Sequence, residues 1–352
     1  MNQVAATTRS VFLEACFRQQ PERTPVWIMR QAGRYLPAYR KLRERVSFLE
    51  LCKSPDLAAE VSYLPVEVLG VDAAIVFSDI LIPFEPMGLA VQFGEGGPQI
   101  ENPPQKLSEV KKLTPFDPVL ETGFVGEAIR QLKKALSPDI PVIGFAGAPF
   151  TLCLYALGGK GSKDFDTARQ ILHTAPEVFL VLAEKFTEAV SDYLTMQIEA
   201  GAAAVQLFDT WAGLLSPGDY RRFAFPFVRQ IVERLSSHGT PTILYQQDGG
   251  AHMEAAVETG INVLSVDWRV DLGKLFDRCE NRVAFQGNLD PYALLGEPEA
   301  AVEKAKEILE QVGGRPGHIF NLGHGILPST PVKTARSVVE FVKNFQPAGK
   351  TL

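Results

Sequence analysis

The chain is poor in cysteine and has no long apolar run and no surplus of positive charge. Four cysteines (Cys16, Cys52, Cys153, Cys279) are scattered singly, with no CxxC pair. That spacing excludes a disulfide framework or a zinc knuckle and predicts reduced thiols. No window approaches eighteen uninterrupted apolar residues, so no membrane-spanning helix is expected. No charged-then-apolar leader opens the chain. A net charge of −6 argues against a nucleic-acid-binding surface. These absences predict a soluble, cytoplasmic protein, or a plastid one if a targeting segment has been trimmed, with residues 1–8 unstructured.

Motifs of several reaction classes are missing too. No HExxH or Cys/His cluster points to a catalytic zinc. "GGKGS" (158–162) lacks the spacing of a phosphate loop. No lysine closes an apolar run, which disfavours Schiff-base chemistry. The first apolar run is not followed by the glycine fingerprint of a dinucleotide fold.

What is present is a series of short, β-branched apolar runs bounded by Gly, Pro or polar residues. They are "TPVWI" (24–28), "DAAIVF" (72–77), "IPVIGF" (140–145), "AAAVQLF" (202–208), "TPTILY" (240–245), "INVLSV" (261–266), "RVAFQ" (282–286) and "HIFNL" (318–322). Such runs read as strands buried on both faces. Helical patterns lie between most of them: 176–201, 217–239, 298–314 and 331–345, several with proline at the start and glycine past the end. Eight strands alternating with helices predict a parallel sheet and fit a (β/α)8 TIM-type barrel in one domain, 1–352; an open doubly wound sheet is the alternative. Within 78–140, "GLAVQFGEGGPQIENPP" predicts a β-hairpin excursion between the second and third strands.

In a barrel the site forms where the strands end. The residues there are "MRQAGR", Asp79, Tyr155, Asp209 and Thr210, Asp248, Asp267, Asp290 and His324. Asp248, Asp267 and Asp290 read as helix caps or loop braces. Asp79 stands between apolar stretches, where a lone carboxylate needs a strong partner. His324 is flanked by glycines, which admit a ligand or backbone closely; the other four histidines read as surface or core. Tyr155 reads equally as a site residue or a buried tyrosine. Residues 29–45 hold six basic side chains and one acid, a local +5 that leaves −11 for the rest of the chain. Arg30 and Arg34 lie in a turn at the barrel mouth, where guanidinium forks suit carboxylate or phosphate. Lys41 and Arg45 read as solvated, Arg40 as packing or surface. The residues alone describe a barrel enzyme for a polyanionic small molecule, with Asp79 central. A glycoside hydrolase stays open, though it leaves the arginines unexplained.

The segments "PVWIMRQAGRYLPAYR", "FSDIL", "GFAGAPFTL", "QGNLDP" and "NLGHG" resemble signatures of the uroporphyrinogen decarboxylase family, in order, from about residue 9 to about residue 345. The resemblance implies a homodimeric barrel without metal or organic cofactor. It implies conversion of the four acetates of uroporphyrinogen III to methyls, giving coproporphyrinogen III for haem and chlorophyll. It places Arg30, Gln31, Ala32, Gly33 and Arg34 in a substrate-binding loop, with Arg43 near the cleft. Asp79 falls where the family binds the central pyrrole N–H groups. Tyr155, Thr210 and His324 fall at substrate-contacting positions, and "GGKGS" in a loop beside the cleft. Asp79, Arg30 and Tyr155 are the catalytic candidates; Arg30 would hold the reacting acetate and supply or relay a proton, with water or a substrate carboxyl as the other donors. A zinc-dependent corrinoid methyltransferase of the same fold is the alternative, but "YQQDGG", after the fifth strand, lacks the His-x-Cys motif that the resemblance to that branch would call for. A non-catalytic tetrapyrrole carrier would not need Asp79 and Tyr155 together.

Overall fold

A computed structural model describes residues 9–94, 97–159, 165–280 and 282–347. The expected unstructured segment 1–8 and most of the 158–162 loop lie outside the described residues. Seven parallel strands form one sheet: β1 (Ala74–Ile75), β4 (Val142–Gly147), β5 (Ala204–Asp209), β6 (Thr242–Gln246), β7 (Val263–Val266), β8 (Ala284–Leu289) and β9 (His318–Leu322). Two more, β2 (Val91–Gly94) and β3 (Gly97–Ile100), pair antiparallel. They are the hairpin expected between the second and third runs.

The parallel strands are buried on both faces, which explains their unbroken apolar runs. The polar exceptions show how the sheet curls. Gln286 on β8 donates from Nε2 to Gln206 Oε1 on β5 (3.0 Å) and to Ser265 Oγ on β7 (2.9 Å), and its Oε1 accepts from Trp27 Nε1 (2.8 Å). In a flat sheet β5 and β8 would stand about 14 Å apart, three spacings of ~4.8 Å. Their side chains meet because the sheet wraps an interior. All three side chains bonded to Gln286 are fully buried, so each such bond offsets a desolvation cost of about 1–3 kcal/mol.

The first predicted run, 24–28, makes one parallel bridge, Val26 to Phe320 of β9. On its other side Val26 O accepts from Asp72 N (2.8 Å). Asp72, buried, also accepts from Val26 N (2.9 Å), is gripped by both Arg23 Nη atoms (2.7 Å each), and lies 3.4 Å from Lys343 Nζ.

One predicted helix is corrected. The segment 217–239 is two α-helices, Pro217–Phe223 and Phe225–Leu235, followed by a 3-10 turn at Ser236–His238. Pro226 lacks the N–H that would continue the first helix, and Ala224 breaks with φ −125° and ψ −55°. The helices Pro176–Ala200 and Pro298–Val312 end in left-handed glycines, Gly201 and Gly313, as proline start and glycine stop predict.

Candidate active site

The loop after the first run is held from several sides. Met29 N donates to Asn321 Oδ1 (2.8 Å), Ile326 N donates to Met29 O (2.9 Å), and Gln31 N donates to Ile28 O (2.8 Å). Gln31 is fully buried; its Oε1 accepts from Ile28 N and its Nε2 donates to Ala73 O, both at 3.0 Å. Its side chain is therefore a strut between loop and sheet, not a group facing solvent. This bracing holds Arg30 at a φ of 61°, a conformation side chains other than glycine adopt reluctantly. Arg30 and Arg34 are exposed at the mouth, and Ala32 and Gly33 are partly buried between them. Arg40 Nη1 donates to Arg34 O (2.8 Å) and Tyr35 O (3.0 Å), so it staples the loop. Arg43 donates to Val46 O and lies over Phe48, which uses part of its guanidinium on the chain itself.

Arg30 is the electrostatic centre of the cluster. Its stem lies against the backbone of Gly325, where an added Cβ would come within 2.8 Å of Arg30 Cγ and 2.9 Å of Nε. Its charge is felt by Asp79, Tyr155, Tyr245 and His324. Burial raises the pKa of Asp79 from its ordinary value, partly offset by a 2.8 Å bond from Leu81 N to Oδ1 and by Arg30. Among the described residues Oδ2 has no hydrogen-bond partner. Tyr155 is on the helix Pro149–Gly158, not in a loop, because Pro149 opens that helix directly after β4. Burial raises its hydroxyl, and Asp79 adds to the effect, so the hydroxyl keeps its proton. Its ring packs edge-on against Phe165 (5.4 Å), which packs against Trp211 (5.0 Å). Trp211 Nε1 lies near the Tyr155 hydroxyl but is left without a full hydrogen bond.

An aromatic row crosses the strand ends: Phe145 to Phe208 (5.5 Å), Phe208 to Tyr245 (5.8 Å) and Tyr245 to His324 (6.1 Å). Burial, with Arg30 and Arg269 nearby, pushes His324 down to about 4, so its ring is neutral at physiological pH. Thr210 follows β5 and is partly buried. The remaining strand-end acids brace loops as read: Asp290 Oδ1 accepts from Tyr292 N (2.9 Å), and Asp267 accepts from Asp248 N (2.8 Å) and from Arg269 Nη1 (2.6 Å), which also pairs with Asp248 (2.9 Å).

Three participants were visible in the sequence without their partners: Tyr245 as the last residue of an apolar run, Gly325 as a glycine flanking His324 that admits a close neighbour, and Asp209 as one of several strand-end acids. Asp209 is fully buried; its Oδ1 accepts from Thr151 Oγ1 (2.9 Å), Oδ2 has no partner, and burial pushes it up to about 7. Among the described residues no three His, Cys, Asp or Glu side chains gather as metal ligands, and no helix is long and apolar enough to cross a membrane. A recess lined by Arg23, Gly70, Arg336 and Lys343 lies at the opposite ends of the strands, with its cations bonded to Asp72 and to backbone carbonyls.

The chain is similar over nearly its whole length to known proteins. A curated relative named uroporphyrinogen decarboxylase from Trichlorobacter lovleyi is 48% identical over 94% of this chain and 97% of its own. One of the same name from Myxococcus xanthus is 48% identical over 94% of each. Among solved structures, a methyltransferase from Methanosarcina mazei shares the fold, with a TM-score of 0.81 at 22% identity over 96% of this chain and 98% of its own. The family profile described as "Uroporphyrinogen decarboxylase (URO-D)" matches residues 7–345, and the chain belongs to that family.

Proposed function

We propose that this chain decarboxylates the four acetate side chains of uroporphyrinogen III to methyls, releasing CO2 and coproporphyrinogen III. Family membership makes it a carboxy-lyase of tetrapyrrole biosynthesis. The observation that carries the finer reading is the convergence of Asp79, Tyr155 and His324 on Arg30 at one end of the strands.

The substrate offers eight carboxylates at its edge and pyrrole N–H groups at its centre. Exposed Arg30 and Arg34 suit the edge, with Arg43 contributing long-range charge. Ala32 and Gly33 leave room at the rim, and Gln31 positions the loop from beneath. Asp79, through Oδ2, suits the centre. The chemistry needs an electron sink. Protonation of the pyrrole carbon beside an acetate makes the ring cationic, and Asp79 stabilises that charge as it develops. The bond to the carboxyl carbon then breaks, its electron pair flows into the ring, and CO2 leaves. A second proton converts the exocyclic methylene to methyl. Arg30 holds the reacting carboxylate. Arginine stays protonated and is a poor acid, so the protons come from water or a substrate carboxyl. Tyr155, protonated, offers a donor to a substrate carboxylate in this reading, and Thr210 retains a hydroxyl for the rim.

We further infer that residues 24–28 close the barrel as its eighth stave, supported by bonds to Phe320 on one side and Asp72 on the other. The chain as one domain, a homodimer and a cytoplasmic location belong to the same reading. The corrinoid methyltransferase alternative gains nothing from the "QQDGG" loop, whose Asp248 pairs with Arg269. Anaerobic incubation of the purified protein with uroporphyrinogen III, followed by chromatography of the oxidised porphyrins, tests the proposal. Stepwise appearance of the four-carboxyl product supports it; recovery of the eight-carboxyl substrate alone refutes it.

A further inference from the structure

The Tyr245 hydroxyl sits 3.0 Å from Gly323 O and 2.9 Å from His324 Nδ1. Tyr245 is fully buried, and its hydroxyl carries one proton to satisfy both neighbours. Gly323 O can only accept, so the hydroxyl proton goes there. The contact with His324 is then a hydrogen bond only if Nδ1 carries the proton. The opposite arrangement, with the hydroxyl donating to a bare Nδ1, leaves two oxygens facing each other at 3.0 Å with no proton between them.

The glycines on either side of His324 allow close packing there. A Cβ at Gly323 would meet Trp268 N at 2.6 Å, so only glycine lets the strand end lie that close to the neighbouring loop. The His324 ring lies nearly parallel to Tyr245, at 14°. The charged groups bearing on it are Arg30, Asp267 and Arg269, and burial with the two arginines outweighs the one carboxylate. A neutral ring holds one proton. With that proton on Nδ1, Nε2 is a bare lone pair, and among the described residues it has no hydrogen-bond partner.

We propose that Tyr245 is a positioning residue that fixes His324 as its Nδ1–H tautomer, so that Nε2 presents a hydrogen-bond acceptor to the substrate. The seat at His324 therefore takes an N–H or O–H donor, a pyrrole N–H or a protonated carboxyl, and rejects a carboxylate, whose oxygens only accept. The ligand class rests on the tetrapyrrole reading above; the tautomer does not. His324 thereby differs in kind from Arg30 and Arg34: they select the charged edge, and it selects a neutral donor. His318 supplies an internal contrast. Its Nε2 lies 3.1 Å from Gly287 O, an obligate acceptor, which requires the opposite tautomer, Nε2–H.

Ring-nitrogen 15N spectra of the histidine-labelled protein without ligand test the tautomer, with His324→Gln used to assign the resonances. The expected result is a protonated Nδ1 and a pyridine-like Nε2 for His324, the reverse of His318. A protonated Nε2 on His324 in the free wild-type protein overturns the proposal. Tyr245→Phe keeps the ring and removes the hydroxyl. It should move His324 to the Nε2–H form and raise KM by about tenfold with kcat within about threefold; an unchanged tautomer in that variant also overturns it. Adding coproporphyrinogen separates ligand classes: a bound donor shifts the Nε2 resonance while it stays unprotonated, whereas a bound carboxylate would protonate it and refute the ligand assignment. If wild type shows the Nδ1–H form yet leaves uroporphyrinogen untouched, the tautomer stands and the decarboxylase reading fails.

Discussion

Replacing Asp209 by asparagine should stabilise the protein at about pH 8 and leave its stability nearly unchanged at about pH 4. Asp209 is fully buried at the end of β5, and Oδ2 has no partner. Gln246, its partner across the β5–β6 register, has an orphaned Oε1. A proton on the carboxyl lets Oδ2 donate towards that amide, while Oδ1 still accepts from Thr151 (2.9 Å). Burial accordingly raises the group from its ordinary 3.8 to about 7. A folded value above the unfolded one means the proton favours the native state. That stability is fully present below the unfolded value and is lost as pH rises through the folded one. At about 1.4 kcal/mol per pH unit, the loss across the window is on the order of 4 kcal/mol. Asparagine supplies the same acceptor and a permanent donor, and does not titrate. The neighbouring Tyr220 and Cys153 are pushed further up by burial and stay neutral in the window, and other titrating groups cancel between the two proteins. Calorimetric melting from about pH 4 to about pH 8 should show the variant's advantage grow with pH, to on the order of 5 °C. A melting difference that does not change with pH would refute the assignment of Asp209 as a buried neutral acid.

Asp79→Asn should melt no lower than wild type and lose about 10²–10³ in kcat, the scale of removing one preorganised charge-stabilising group. Because burial raises Asp79, the acid limb of wild-type kcat/KM should be shifted upward from that of an ordinary aspartate, and the Asn variant should lack that limb; near-wild-type turnover would remove Asp79 from the mechanism. Gly325→Ala puts a methyl where the Arg30 stem lies; the flexible stem should yield, so activity should fall by about 10²-fold with little change in melting. Steady-state kinetics matching wild type would show that Arg30 is not held by that contact. Asp72→Ala strips the acceptor from Arg23, Lys343 and Val26 N together and should cost about 3 kcal/mol in urea unfolding. A loss under about 0.5 kcal/mol would mean that the segment around Val26 is not anchored there.

The strand runs were legible because burial on both faces leaves a local mark, a short apolar stretch with turn residues at each end. Where that mark was ambiguous the boundaries moved: "DAAIVF" became the two-residue β1, and 24–28 only a bridge. Pro226 was visible in the sequence, yet proline can open a helix as well as break one, and only the chain's path shows that it does both. Among the site residues, Arg30 and Asp79 stood out by charge in unlikely places. Gln31 was legible as part of the loop but not as its strut, because an amide's partners are fixed by what folds beneath it.

By itself, then, the sequence determined the alternation of buried strands and helices, the segregation of positive charge into one loop, and the family. The first two follow from periodicity and composition and the family from the resemblance of motifs such as "RQAGRYLP", all of them properties of neighbours along the chain. Tertiary structure alone decided that Arg30 lies on Gly325, that Tyr245 reaches His324 across 79 residues, and that Asp209 is sealed from water. Those contacts arise where a curled sheet brings the ends of distant strands to one rim. The curl of the sheet sets that geometry, and no spacing in the chain records it.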